Sequence, residues 1–142
     1  MEVVNKLVPN EEQLAGFLEP GPEGPIYMLN LLKYKEKAEY ADGRETDMTG
    51  AEAYSIYAAE VVAHLAKVGA VATFSAAVER LMLGEVEDLW DTAAIAMYPS
   101  REAMLKMISD PDYQASAVHR EAGLEGQLNI ELVNPIGMWL MD

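Results

Sequence analysis

Cysteine is absent from this 142-residue chain. That excludes disulfides, thiolate metal centres and cysteine nucleophiles. Histidine occurs only at His64 and His119, with no HExxH-type spacing, so a zinc or other metal site is not expected. Basic residues are also scarce: 10 Lys and Arg stand against 24 Asp and Glu, a formal charge of −14. Nucleic-acid binders neutralise phosphates with clustered cations. Here only Lys33, Lys35 and Lys37 cluster, and the same acidity disfavours an anionic membrane surface. No apolar run approaches the roughly 18 residues of a membrane span. Nothing at the start of the chain has the apolar core of a signal peptide, and a cytoplasmic location is the default. Glycine-rich phosphate loops, nucleotide fingerprints and activated-nucleophile signatures are missing, and no cofactor is expected. Haem ligation by either histidine is a minor alternative.

What is present is a globular composition, 51% hydrophobic. A chain of this length buries roughly 68–70% of its unfolded surface, enough for one core without staples. A single domain over 1–142 is expected. Within it, a core over 26–133 follows an N-terminal helix and loop (1–25) and precedes an apolar tail (134–142) that carries Trp139.

The pattern predicts a short helix over 11–19, capped by Asn10 with Gln13 in the box position and closed by a turn rich in Pro and Gly at 20–25. Residues 26–34 read as a central strand, apolar on both faces except at Asn30 and Lys33. A charged connection over 35–48 follows. Thr49 and Glu52 form a capping box for a helix to about Lys67, with Gly69 as its stop. Strands are expected over 70–78 and 89–98, antiparallel to one another. Ser100 caps the next helix, and Asp110-Pro111 restarts it. A last strand is expected over 127–133.

Apart from the first helix and the tail, the order is β-α-β-β-α-β. That is the ferredoxin-like arrangement of the α+β class, a four-stranded antiparallel sheet with both helices on one face. The other face needs cover, and a first strand that is apolar on both sides argues for a second copy of the chain. A homodimer packed sheet to sheet is expected, with the tail or first helix as extra cover.

Several segments, in their order and spacing, resemble one family: residues 27–34, 38–43, 49–54 with Tyr57, Leu89-Trp90-Asp91, 98–103, 110–115 and 119–122. Together they are similar to the small bacterial proteins of domain of unknown function 1330, in the dimeric α+β barrel superfamily. The resemblance covers roughly residues 26–133 and implies two ferredoxin-like subunits with a barrel between their sheets. The superfamily includes cofactor-free monooxygenases, isomerases, haem-dependent enzymes and stress-response proteins. The resemblance therefore implies a pocket without fixing a chemistry.

Asn30 is the uncharged polar residue of an apolar strand and needs partners if buried, whether ligand, water or side chain. Tyr54 and Tyr57 lie on the core stripe of the best-defined helix, where a ring packs while its hydroxyl seeks a partner. Trp90 and Asp91 are neighbours on a strand and should point to opposite faces. Trp90 would share its face with Thr92, Ala94, Ala96 and Tyr98, a floor of small residues between aromatic ends. Asp91 needs a rim position or a pair, with Arg120 as a possible partner. Arg120 is a candidate anion anchor. His119, about 100° away around the helix, is a candidate acid or base. His64, four residues after Glu60, reads as a helix-surface pair. These residues suit a homodimer that binds a small organic molecule, either as a cofactor-free enzyme (proton transfer, isomerisation or oxygenation) or as a non-catalytic binding or stress-response module.

Overall fold

The computed structural model describes residues 2–137. The elements are α1 (Glu11–Leu18), β1 (Ile26–Tyr34), α2 (Gly50–Lys67), β2 (Val71–Ala77), β3 (Thr92–Tyr98), α3 (Arg101–Ile108), α4 (Pro111–Gly123) and β4 (Leu124–Leu132). Capping fixes the helix starts. Asn10 with Gln13, and Thr49 with Glu52, each form a complete box in which side chain and backbone amide are exchanged both ways. Ser100 accepts from the Ala103 amide, and Asp110 from the Asp112 amide with Pro111 in the first turn. Each cap is worth about 1 kcal/mol.

The strands form one antiparallel sheet in the order β2-β3-β1-β4. With the helices on one side, this is the ferredoxin-like fold that the element order predicts. Register sorts the side chains into two faces. Ile26, Met28, Asn30, Leu32 and Tyr34 share a face with Thr92, Ala94, Ala96 and Tyr98 of β3 and with Gln127, Asn129 and Glu131 of β4. This face meets the helices: Ile26, Met28 and Tyr98 cluster with Tyr57 and Leu65 of α2, Met107 of α3 and Tyr113 of α4. The opposite face carries Leu29, Leu31, Ile95, Met97, Leu128, Ile130 and Leu132, with Val71 and Phe74 at the β2 edge. Ile130, Leu132, Val71 and Phe74 are exposed in the single chain.

Two strand starts differ from expectation by three residues, and one helix lies elsewhere than expected. β3 begins at Thr92 rather than at 89. Asp91 still makes backbone bonds, its amide to the Leu32 carbonyl (2.7 Å) and its carbonyl from the Val78 amide (2.9 Å). Its carboxylate turns to the Tyr34 amide at 2.9 Å, and the chain from Leu89 to Asp91 bends out of the pleat. β4 begins at Leu124, three residues early, because α4 runs directly into the strand and Leu124 is fully buried at the junction. α1 joins the helical layer instead of covering the open face. Its Phe17 packs on the core, under the guanidinium of Arg101 at 5.2 Å. Trp139 lies outside the described residues.

The connection from β1 to α2 is a loop, but a fixed one. The Ala38 amide bonds the Met48 carbonyl, the Glu39 amide bonds Ala122, and the Gly50 amide bonds Lys35. Among the described residues no helix is long and apolar enough to cross a membrane.

Candidate functional site

Asn30 is the hub of a polar chain on the helix-facing side of β1. Its Oδ1 accepts from Gln127 Nε2 (3.1 Å) and from Asn129 Nδ2 (2.6 Å), and its Nδ2 donates to the Met28 carbonyl (3.1 Å). Antiparallel pairing sets Asn129 directly across from Asn30. The chain continues to α4, where Arg120 Nη2 donates to Gln127 Oε1 at 3.0 Å and to the Leu7 carbonyl at 2.8 Å. Arg120 is half-buried, and among the described residues no carboxylate lies within ion-pair distance of it. Its partners are neutral oxygens. A partly desolvated cation in that state is available to an anion.

A row of rings stands beside this chain. Centroids run from Tyr34 to Tyr54 (5.4 Å), Tyr57 (5.3 Å), Tyr113 (6.0 Å) and His64 (5.9 Å). The hydroxyls of Tyr57 and Tyr113 bond each other at 3.0 Å, and Tyr34 donates to Thr92 Oγ1 at 2.9 Å. Burial pushes the phenols of Tyr54, Tyr57 and Tyr98 above their ordinary range, while the charge of Arg120 acts the other way on Tyr54 and Tyr57. The charge of Arg120 is therefore felt by Tyr54 and Tyr57. Tyr98 contributes to the core rather than to an opening.

The other predicted residues are dispersed. Trp90 has left the strand, so neither the shared floor with Ala94 and Ala96 nor the opposite-face argument applies to it. Its indole N–H donates to Asn5 Oδ1 at 2.8 Å. Asp91 pairs with Lys33 (3.5 Å) and the Tyr34 amide, and not with Arg120. Lys33 is closer to Asp88 (3.2 Å), whose hydrogen bond is the main cause raising the ammonium pKa. His119 is apart from Arg120, with its Nδ1 bonded to the Tyr40 hydroxyl at 2.7 Å. His64 does not pair directly with Glu60. Ser116, a buried α4 hydroxyl, stands between them, at 2.9 Å from His64 Nε2 and donating to Glu60 Oε1 at 2.7 Å. Among the described residues no group of three or more His, Asp or Glu could hold a metal ion.

Two cavities stand out among the described residues. The larger, about 500 Å³, lies over the β1–α2 loop and is lined by Lys37, Glu39, Tyr40, Arg44, Thr46 and Asp47 among others. Its lining is mainly polar and charged. The smaller, about 120 Å³, lies between the N-terminal segment (Val3, Asn5), Lys33, Asp88 and Gly126. Neither is lined by Asn30, Tyr54, Trp90 or Arg120. The space at Arg120 and Trp90 is taken by Asn5 and Leu7.

The family model described as Domain of unknown function (DUF1330) matches residues 32–132. The chain belongs to the DUF1330 family. It is similar along nearly its whole length to a solved structure, that of methylated RPA0582 protein: 36% identity over 95% of this chain and 98% of that chain, TM-score 0.83. A second structure, described as the RPA0582 protein of unknown function from Rhodopseudomonas palustris, shares 34% identity over 93% and 100% of the two chains, TM-score 0.82. More distantly, this DUF1330 chain is similar to SnoaB, a cofactor-independent oxygenase from Streptomyces nogalater. The identity is 13% over 81% and 97% of the chains, TM-score 0.51, a likeness of fold alone. No curated protein matches it.

Four residues that matter here carry little sequence signal. Gln127 and Asn129 read as the wet side of a strand, and their bonds to Asn30 depend on β1–β4 register. Tyr40 sits in the charged loop and Ser116 on a polar helix turn. Only the fold shows that Tyr40 meets His119 and that Ser116 is buried.

Proposed function

We propose that the protein is a cytoplasmic homodimer that binds a small organic acid in each subunit. The carboxylate would sit on Arg120 and the apolar body against the half-buried rings of Tyr34 and Tyr54. One observation carries the reading: a half-buried guanidinium held, among the described residues, by neutral oxygens alone. Asn30, Gln127 and Asn129 orient that guanidinium and offer amide groups to the remaining polar atoms of the ligand. The geometry favours a binding role over catalysis at this spot, because His119 is engaged elsewhere. The dimer would close over the apolar sheet face.

The test is calorimetric titration with a panel of aromatic and aliphatic carboxylates, each beside its neutral amide. The reading expects binding by a carboxylate, little by its amide, and loss of both in Arg120→Gln. Carboxylates that bind wild type and Arg120→Gln alike would overturn it.

One observation supports a catalytic reading at a different place. Tyr40 lines the larger cavity with His119 at 2.7 Å and the Arg44 guanidinium 4.4 Å above its ring. Such a phenol can pass a proton between the cavity and an imidazole, in keeping with cofactor-free proton transfer. His119→Gln separates the two readings: it would stop turnover at the loop cavity and leave carboxylate binding at Arg120 unchanged.

A further inference from the structure

Residues 3–8 cross the end of the sheet as a strap. Lys6 pairs with Gln127 on the outer edge of β4 through two backbone bonds of 3.1 and 2.9 Å. On either side of Lys6 the strap serves two donors of the domain. The Leu7 carbonyl takes Arg120 Nη2 at 2.8 Å, and Asn5 Oδ1 takes the Trp90 indole N–H at 2.8 Å. Gly126 makes room for it, since a methyl group there would meet Asn5 Cβ at 2.7 Å.

We propose that this strap is a ligand-displaced gate, and that the ligand is an organic acid offering a carboxylate to Arg120 and a second oxygen to Trp90. The inference rests on the anion-site reading above and adds what occupies that site at rest and what the ligand must resemble. Three observations support it. First, the strap's contacts with Arg120 and Trp90 are both oxygen acceptors, which is what such a ligand would present. Second, the strap is weakly held. Val4 and Val8 are 64% and 63% exposed, and among the described residues one isolated bridge joins it to the sheet. Segments with few buried apolar contacts open locally at small cost. Third, the strap leaves space beside it: a cavity of about 120 Å³ is lined by Val3, Asn5, Lys33 and Gly126, and also by the acidic Glu87, Asp88 and Glu125.

Exchange is favoured because the strap offers Arg120 only a neutral carbonyl. A charge-assisted bond to a carboxylate is roughly twice as strong as a neutral one, and its bidentate form suits a guanidinium. The second oxygen matters because displacing Asn5 alone would leave the Trp90 N–H without its partner. A monocarboxylate with no further acceptor should therefore bind more weakly than an oxo acid, hydroxy acid or dicarboxylate of the same size.

The test uses the full chain and phthalate, an aromatic dicarboxylate, as the probe. Lys6→Pro removes the amide that donates to Gln127 at a fully surface position and leaves the domain's own contacts in place. Calorimetry should show phthalate binding roughly three- to tenfold tighter in Lys6→Pro than in wild type, because the closed strap lowers the competent fraction. Arg120→Gln should abolish binding in either background. Equal affinity in wild type and Lys6→Pro, with Arg120→Gln still abolishing it, overturns the gate and leaves the anion site standing. Phthalate binding that is absent, or indifferent to Arg120→Gln, overturns the anion site itself. Hydrogen exchange tests the gate without any ligand. The Lys6 amide should exchange far faster than amides of the β1–β3 ladder, and equal protection would show a fixed edge strand instead.

Discussion

Gly50 and Gly123 meet backbone to backbone where α2 begins and α4 ends. A methyl group on Gly50 would sit 2.6 Å from the Gly123 carbonyl oxygen, and one on Gly123 would sit 2.8 Å from the Tyr54 amide nitrogen. The obstacle is main chain on both sides, so no side chain can swing away. This contact brings the first turn of α2, with Tyr54, against the last turn of α4, with Arg120.

Gly123→Ala should therefore destabilise the protein by about 3 kcal/mol, at the upper end of overpacking costs. Gly16→Ala is the control. It lies inside α1 with nothing within 4 Å of the added methyl, and helix propensity alone predicts a gain of about 0.5–1 kcal/mol. Urea unfolding midpoints of the two variants should move in opposite directions.

Tyr57 and Tyr113 share one hydrogen bond in the core. Removing either hydroxyl strands the other, at about 1–3 kcal/mol. Tyr57→Phe and Tyr113→Phe should each lower stability, and the double variant should lose clearly less than the sum. Additive losses in a double-mutant cycle would mean that the bond contributes nothing beyond each ring.

Alkali should act on the same rings. Burial raises the Tyr54, Tyr57 and Tyr98 phenols above the ordinary tyrosine value of 10.0. An unfolded chain releases these protons near pH 10 while the folded chain retains them, so the folded state then binds more protons. Stability is fully present below about pH 10 and falls as pH rises above it. Absorbance at 295 nm should show these three of the seven tyrosines titrating only as the protein unfolds. Phenolate formation at all seven in the folded protein would contradict the burial.

How much of this was legible in the sequence depends on how local each feature is. The caps at Asn10, Thr49, Ser100 and Asp110 are four-residue signals, and all four hold. Element order gave the topology because β-α-β-β-α-β leaves few ways to form one antiparallel sheet. The misplaced start of β3 has a nonlocal cause: Asp91 is drawn off by Tyr34 and Lys33, far away in sequence. Site residues fared similarly. Helical phase separated His119 from Arg120, as the structure does. Nothing local, however, could reveal that Arg120 reaches Leu7 or that His119 reaches Tyr40, because both contacts arise when distant segments close on α4.

Arg101 anchors α1 to the sheet. It pairs with both Glu131 oxygens at 2.8 Å and donates more weakly to the Gly16 and Glu19 carbonyls at the end of α1. The Arg101 hydrogen bond holds the Glu131 carboxyl below the ordinary glutamate value of 4.5. The unfolded state then binds the proton first on acidification, so this contribution is present above about pH 4.5 and is lost as pH falls through the lowered value. Arg101→Ala should cost about 1–3 kcal/mol at neutral pH and increase amide exchange in α1 alone among the helices. A uniform loss of protection across the domain would mean that Arg101 supports the core rather than α1.

The sheet's open face carries the last prediction. Leu29, Leu31, Ile95, Met97 and Leu128 line its centre, and Ile130 and Leu132 are 41% and 38% exposed in the single chain. Aliphatic residues across three adjacent strands, with no charge among them, form a patch that a monomer rarely leaves in water. An identical face on a second copy is complementary by two-fold symmetry. Ile95 lies at the middle, paired with Leu29 and Phe74 on its two neighbouring strands. Ile95→Asp would place a carboxylate, and its symmetry mate, inside the desolvated centre of that interface, where like charges cannot both remain ionised at low cost. Light scattering at micromolar concentration should give a dimer for the wild type and a monomer of unchanged secondary structure for Ile95→Asp. A monomeric wild type would mean that this face is covered from within the chain, and the reading of β1 as an interface strand would fall with it.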